Sequence, residues 1–275
     1  MQDKQLSLKD VIRQEYVKCA ADPVYFMRKY CKIQHPTKGK LRFELFPYQE
    51  KTLLQFKEHR YNLVLKSRQT GISTLTAGYS LWKMIFNQDY NVLVIAIKQE
   101  VAKNLVLKVK VMYENLPSWL KLPATEDNKL SLRLNNGSQI KATSASSDAG
   151  RSEAVSLLIV DEAAFIEQIG EIWASAQQTL ATGGGAIVLS TPYGTGNWFH
   201  QTWIKAENSE NDFLPIKLPW FVHPERNEEW RKRQDELLGD PRLAAQECDC
   251  DFSTSGDIVF YSEWLEFITQ TTIKD

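Results

Sequence analysis

Three short stretches of the chain carry the residue types that phosphate chemistry needs. The first runs from Asn62 to Thr74, NLVLKSRQTGIST, an apolar run that breaks into a polar, glycine-containing loop and restarts as a helix. A strand ending at a tight loop before a helix aims backbone N–H groups at one point, which suits an anion. The common nucleotide-binding spacing is G-x-x-x-x-G-K-[ST]. Here Gly71 and Ser73 fit it, whereas Ile72 stands at the lysine position and Lys66 at the first glycine. Read alone, the loop is either a variant ATP site or a chance match. In the first case Ser67, Arg68, Gln69 and Thr70 would wrap phosphates and Gly71 would admit close backbone approach. Ser73 would offer its hydroxyl to Mg²⁺ and Thr74 would follow it into the helix, roles compatible with plain N-capping.

The second stretch, LLIVDE, closes an apolar run with Asp161 and Glu162. Adjacent carboxylates there suit metal-dependent phosphoryl transfer, one holding Mg²⁺ and the other orienting water. The plainer alternative is an acidic pair that ends a strand and favours the start of a helix. The third is AIVLS running into Thr191-Pro192, so that Ser190, Thr191 and Pro192 form another strand end. With no lysine at position 72, the cation for the phosphates is expected from Arg68, whose fork suits phosphate oxygens. Lys66 is the other candidate, although a strand-end side chain can point elsewhere. Arg151, in the polar segment DAGRSEA, is placed to reach a phosphate of its own or a neighbouring subunit. Phe46-Pro47-Tyr48-Gln49 precedes the first core strand; Gln49 can donate to and accept from an adenine edge, and Tyr48 can pack on a base.

The elements that must hold these stretches follow from the pattern. Residues 7 to 31 read as two helices, capped by Ser7 and restarted at Asp22-Pro23. A turn at 35–39, a short extended piece and a helix from about Gln49 follow. Strand 62–66, the loop, and a helix to about Phe86 come next, then the continuous apolar strand NVLVIAI and a helix from Glu100 to Asn115. Pro117 and Pro123 bracket an exposed connection, and Asn136-Gly137 signals a hairpin between LSLRL and SQIKATS. VSLLIV and AIVLS read as further buried strands around a helix near 172–179; a helix at 197–207, the strand PIKLPW and a charged helix, NEEWRKRQDELL, close the series. Strands alternating with helices predict an α/β fold with a mainly parallel sheet. Ligands in such sheets sit beyond the carboxyl ends of the strands, where all three stretches fall.

Composition narrows the class. The 275 residues are 43% hydrophobic and 24% charged, which suits a globular core, and the net charge of −1 excludes a globally basic surface. Contact with nucleic acid would run through a local patch, for which Arg231-Lys232-Arg233 is a candidate, although on a charged helix a solvated face is the simpler reading. Cys19, Cys31, Cys248 and Cys250 lack zinc spacing and read as free thiols of a reducing compartment. No signal peptide or membrane-length apolar run is visible. The expectation is a soluble, intracellular protein.

DPVYFMRKY with FPYQ, SRQTGIST, LLIVDEAAFI and LSTPYGTGNWF together resemble the N-terminal ATPase domain of the tailed-bacteriophage terminase large subunit, over roughly residues 22–260. The resemblance implies a RecA-like P-loop NTPase of the ASCE type, binding ATP and Mg²⁺ and packaging double-stranded DNA. It implies Gln49 as the adenine-sensing glutamine and residues 66–74 as a variant Walker A loop. Asp161 becomes the Mg²⁺ residue with Ser73, Glu162 the catalytic carboxylate, residues 190–192 the coupling motif, and Arg151 an arginine finger. Further implications are a portal and a small terminase subunit as partners, a homo-oligomeric ring on the procapsid, a monomer in isolation, and the host cytoplasm as location.

The expected organisation is an N-terminal helical segment over 1–60, an ATPase core with a small C-terminal subdomain over 61–250, and a linker over 251–275. Asp249, Asp251 and Asp257 read as surface and linker residues and no nuclease activity is expected. Ile72 departs from the family pattern and shifts weight to Arg68 and Lys66. Two other readings share these residues: a non-hydrolysing nucleotide-binding assembly module and a helicase-like translocase.

Overall fold

The computed structural model describes residues 7–146 and 154–252. The chain opens with α1 (Leu8–Ala21) and α2 (Pro23–Tyr30), then a hairpin of β1 (Lys32–His35) and β2 (Gly39–Arg42), and α3 (Pro47–Glu58). Next come β3 (Tyr61–Lys66), α4 (Ile72–Phe86), β4 (Asn91–Ala96), α5 (Gln99–Glu114), and β5 (Ala124–Asn128), β6 (Ser131–Leu134) and β7 (Gln139–Ser144). The second half holds β8 (Leu157–Asp161), α6 (Ile169–Leu180), β9 (Gly185–Ser190), α7 (Trp198–Glu207), β10 (Phe213–Leu218), α8 (Glu228–Leu238) and α9 (Pro241–Ala244). A π-helical turn, Ala245–Asp249, follows α9.

Among the described residues eight strands form one sheet in the order β10-β3-β9-β8-β4-β7-β6-β5. The first six run parallel, and β6 and β5 add antiparallel pairs at one edge. The parallel sheet and the hairpin at Asn136-Gly137 agree with the sequence pattern. Two elements depart from it. β5 follows the expected connection, in residues 124–128 to which the pattern assigns no element; they are exposed throughout, so no alternation marks the strand. β1 covers residues 32–34, to which the pattern assigns no element, and His35 of the expected turn, and pairs with β2.

The continuous apolar strands are explained by burial on both faces. Val64, Val94, Ile159 and Leu189 point into a core shared with α2, α3, α4 and α5. Their neighbours Leu63, Leu65, Leu158, Val160 and Val188 point into a second core under α6 and α7. Period-two alternation thus assigns each strand residue to one of two cores. α4 lies inside the first core and is buried on nearly every side, from Ile72 to Ile85. Gly78 makes room there: a Cβ at this position would stand 2.9 Å from Met27 Cε of α2.

β9 lies between β3 and β8, so Ser190 pairs in register with Leu65 and Leu189 with Asp161. The strand end carrying Ser190 is therefore inserted between the loop after β3 and the acidic pair after β8. The hydrophobic crossovers impose this order, and the site inherits it.

Glu15 ties α1 to α2. Its carboxylate accepts from Lys29 Nζ at 2.7 Å, Tyr30 Oη at 2.7 Å and Tyr25 Oη at 2.8 Å. Lys29 first, then the two hydroxyls, holds its pKa down from 4.5 to about 2. A carboxyl depressed by folding stabilises the fold above its unfolded value and loses that contribution as pH falls through the folded one. Thermal unfolding of Glu15→Gln followed from pH 7 to pH 2 is expected to start below wild type and to converge with it between 4.5 and about 2. Parallel curves across that window would remove Glu15 from the acid response.

Candidate functional site

The site forms at the carboxyl ends of β3, β9 and β8. β3 delivers Lys66, after which Ser67–Thr70 turn the chain into α4. Gly71 caps α4 in the left-handed region, φ +74°, with no side chain capping the helix. Gln69 is also left-handed at φ +57°, a conformation costing a non-glycine residue about 1–2 kcal/mol. Among the described residues, none of the backbone N–H groups from Gln69 to Thr74 finds an acceptor. Six consecutive donors at a helix N-terminus form a concave anion cradle.

The loop carbonyls, by contrast, are held. Thr70 Oγ1 donates to Ser67 O at 3.0 Å. Arg226 Nη2 donates to Arg68 O at 3.1 Å and Gln69 O at 3.0 Å. Tyr48 Oη and Gln49 Nε2 donate to Thr70 O at 2.6 and 3.0 Å. Gln49 Oε1 accepts the Phe46 N–H at 3.1 Å, so both ends of this buried amide serve the loop and the start of α3. Phe46 and Tyr48 stack at 6.0 Å, and His223 sits 4.6 Å from Phe46.

Ile72 contributes only its N–H. Its side chain is 1% exposed in the core between α4 and its neighbours, so a lysine there would bury its stem away from the cradle. Lys66 lies among these residues: it is 6% exposed, and its Nζ donates to Glu162 Oε1 at 2.8 Å. Arg68, expected as the phosphate cation, lies elsewhere. Its side chain is 64% exposed and its guanidinium pairs with Glu247 of the π-turn. The structure thus brings Lys66 into the site and leaves Arg68 at its outer edge.

Asp161 ends β8 nearly buried, with Ser73 Oγ 3.4 Å from its Oδ2. Burial pushes its carboxyl up, opposed by Lys66. Glu162 is left-handed at φ +55°, which turns its side chain back across the strand ends. Its Oε1 meets Lys66, and its Oε2 accepts the Thr191 N–H at 3.3 Å. Ser190 Oγ accepts the Ala164 N–H at 3.1 Å, and the buried Thr191 hydroxyl has no partner among the described residues. Thr191 is therefore joined to Glu162 through its backbone N–H, and Ser190 to the turn after the acidic pair through its hydroxyl. Ser73 and Asp161 offer hard oxygen donors, a set that fits Mg²⁺ shared with phosphate oxygens rather than an all-protein cage.

Several residues here carried no sequence signal. Arg226 and Glu247 reach the loop from more than 150 residues along the chain, and His223 reaches Phe46 from a similar separation. Lys108 of α5 sits close enough to Asp161 to feel its charge, while burial pushes its ammonium down. Arg231 is no free cation of a basic patch, since it pairs with Asp249 at 2.8 and 2.7 Å and with Asp235. Asp249, expected as a surface or linker residue, is thereby a structural partner. Arg151 and Asp257 lie outside the described residues. The four cysteines are free and buried, and no described helix is long and apolar enough to cross a membrane.

A parallel sheet carrying a helix-capping anion cradle, with an acidic pair one strand beyond its neighbour, defines a RecA-like α/β domain. The chain belongs to the family described as terminase large subunit, T4likevirus-type, N-terminal, which matches residues 63–267. Its fold is similar to the large terminase ATPase domain of Thermus phage P74-26, with TM-score 0.60 and 22% identity, covering 76% of this chain and 94% of that one. The large terminase of bacteriophage HK97 superposes with TM-score 0.65 at 18% identity, over 80% of this chain and 51% of that one. A large terminase from a thermophilic bacteriophage, solved in complex with ADP, gives TM-score 0.61 at 12% identity, over 76% and 54%. The chain thus spans nearly all of an isolated ATPase domain and about half of the longer terminase chains.

Gly71 tests the cradle. A Cβ there would stand 2.6 Å from Gln49 Nε2 and sit at positive φ. Gly71→Ala is expected to lower stability by about 1–2 kcal/mol through the left-handed backbone and to weaken nucleotide binding more than tenfold. Calorimetric titration with Mg-ADP beside a urea melt checks both; wild-type affinity would show that the cradle tolerates a side chain.

Proposed function

We propose that this chain is the ATPase motor domain of a viral terminase, hydrolysing ATP with Mg²⁺ to drive double-stranded DNA into a procapsid. The observation that carries the reading is the meeting of Lys66 with Glu162 beside six loop N–H groups that have no acceptor among the described residues. Family membership sets the biological frame.

The chemistry follows from where the groups stand. The N–H groups of 69–74 and the start of α4 receive the phosphates. Lys66 exchanges Glu162 for a phosphate oxygen when ATP enters, since a polyanion outcompetes one carboxylate for its charge. Ser73 and Asp161 would hold Mg²⁺, which supplies charge neutralisation on the phosphate oxygens. Glu162, released from Lys66, orients the attacking water and accepts its proton. Thr191 N–H keeps hold of the other Glu162 oxygen, so rearrangement there is felt along β9 through Ser190, Thr191 and Pro192. That link is the proposed coupling of hydrolysis to DNA movement.

Arg68 is assigned to the rim of the site, with Arg151 as the arginine finger that the resemblance implies. Tyr48 and Gln49 flank the adenine side, where Gln49 senses the base through the loop it already holds. Portal, small terminase subunit and a homo-oligomeric ring complete the proposed assembly in the host cytoplasm.

Phosphate release by the purified chain, with and without DNA, tests the reading. Glu162→Gln is expected to retain nucleotide and to lose turnover by about 10²–10⁴-fold. Lys66→Ala is expected to lose about 10²–10³-fold and to weaken ATP more than ADP. Turnover unchanged in Glu162→Gln would refute the catalytic assignment. Nucleotide binding without turnover in the wild type would select the non-hydrolysing assembly module.

A further inference from the structure

The segment after β10 does more than close the sheet. Ser67 N–H donates to Leu218 O at 2.8 Å, and Arg68 N–H to Glu247 O at 2.8 Å. Between these two contacts stands Arg226, from the turn before α8. Its Nη1 donates to Ser67 Oγ at 3.2 Å, and its Nη2 is shared between Arg68 O and Gln69 O. Its guanidinium lies over the Trp230 ring at 4.3 Å, and Trp230 stacks on Trp220 at 6.2 Å. Among the described residues no carboxylate forms an ion pair with Arg226, so its charge is directed at the loop.

The two carbonyls that Arg226 holds belong to the peptide groups on either side of Gln69, the left-handed residue of the loop. Each peptide group is planar, so a carbonyl fixed outward fixes its N–H inward. The N–H groups concerned are those of Gln69 and Thr70, the first two donors of the cradle. A positive charge on the far side of a peptide also polarises its N–H toward an anion. A guanidinium reaches two carbonyls and a hydroxyl with one planar fork, which a lysine ammonium does not reproduce.

We infer that Arg226 is a positioning residue of the phosphate site, pinning the peptide groups that flank Gln69 so that their N–H groups face the nucleotide. The inference rests on the proposed nucleotide site and extends it, since it makes loop geometry depend on the segment from β10 to the π-turn. The Trp230 ring packs on the guanidinium and helps to hold it at the loop. Arg226 touches no substrate in this role; it acts through the loop.

The test compares Arg226→Ala, Arg226→Lys and Arg231→Ala with wild type in the full chain. Mg-ADP affinity is read by calorimetric titration, and stability by urea unfolding without nucleotide. Arg231 supports the same segment through Asp249 and Asp235 without touching the loop, and so reports a merely structural role. Arg226→Ala is expected to weaken Mg-ADP at least tenfold, with Arg226→Lys recovering part of the loss. Arg231→Ala is expected to lower the unfolding midpoint while keeping affinity within twofold of wild type. Wild-type affinity in Arg226→Ala, or an equal loss in Arg231→Ala, would overturn the inference. Absence of Mg-ADP binding in the wild type would instead overturn the nucleotide site itself, and this inference with it.

Discussion

A loop that points its N–H groups at an anion must dispose of its carbonyls on the other side, and the rest of this structure depends on how that is done. Each carbonyl from Ser67 to Thr70 has a donor behind it. Two come from the loop itself, Thr70 Oγ1 and Ser67 Oγ; others come from α3, through Tyr48 and Gln49; the last comes from the turn before α8, through Arg226. The loop is therefore a junction of three chain segments. Its strained residue, Gln69, persists because both flanking peptides are held.

The charges follow a similar logic. A buried lysine needs a partner, and Lys66 has one in Glu162. The pair keeps the carboxylate engaged until a stronger anion claims the cation, which couples the proposed arrival of ATP to the freeing of the proposed base. Glu162 also touches the Thr191 N–H, because β9 is inserted between β3 and β8. Sheet order thus decides which strand end senses the carboxylate. Isoleucine at position 72 fits this arrangement: its side chain belongs to the core, while the strand-end lysine enters the site from the other side of the loop.

Much of this is legible in the sequence, and the reasons are local. Continuous apolar runs mark β3, β4, β8 and β9, and Asn136-Gly137 marks the hairpin, since burial and turn chemistry write themselves into neighbouring residues. Gly71, Ser73, Asp161, Glu162 and Ser190 stand out because strand ends converge in parallel sheets. What stays hidden is direction and distance. Lys66 and Arg68 are close neighbours in the chain, and only packing decides that one turns inward and the other pairs with Glu247. Arg226 and Glu247 give no signal because a cation or carboxylate on a polar segment looks the same whether it faces solvent or a loop folded against it. β5 escapes because an exposed edge strand lacks the alternation that betrays a half-buried one.

The central claim is that Lys66, and not Arg68, supplies the cation to the nucleotide phosphates. A structure of the chain with Mg²⁺ and a non-hydrolysable ATP analogue decides it directly. Lys66 Nζ is expected on a phosphate oxygen, its bond to Glu162 broken, and the Gln69 and Thr70 N–H groups on the phosphates with Arg226 still behind them. Lys66 remaining on Glu162 while Arg68 leaves Glu247 to contact the phosphates would contradict it.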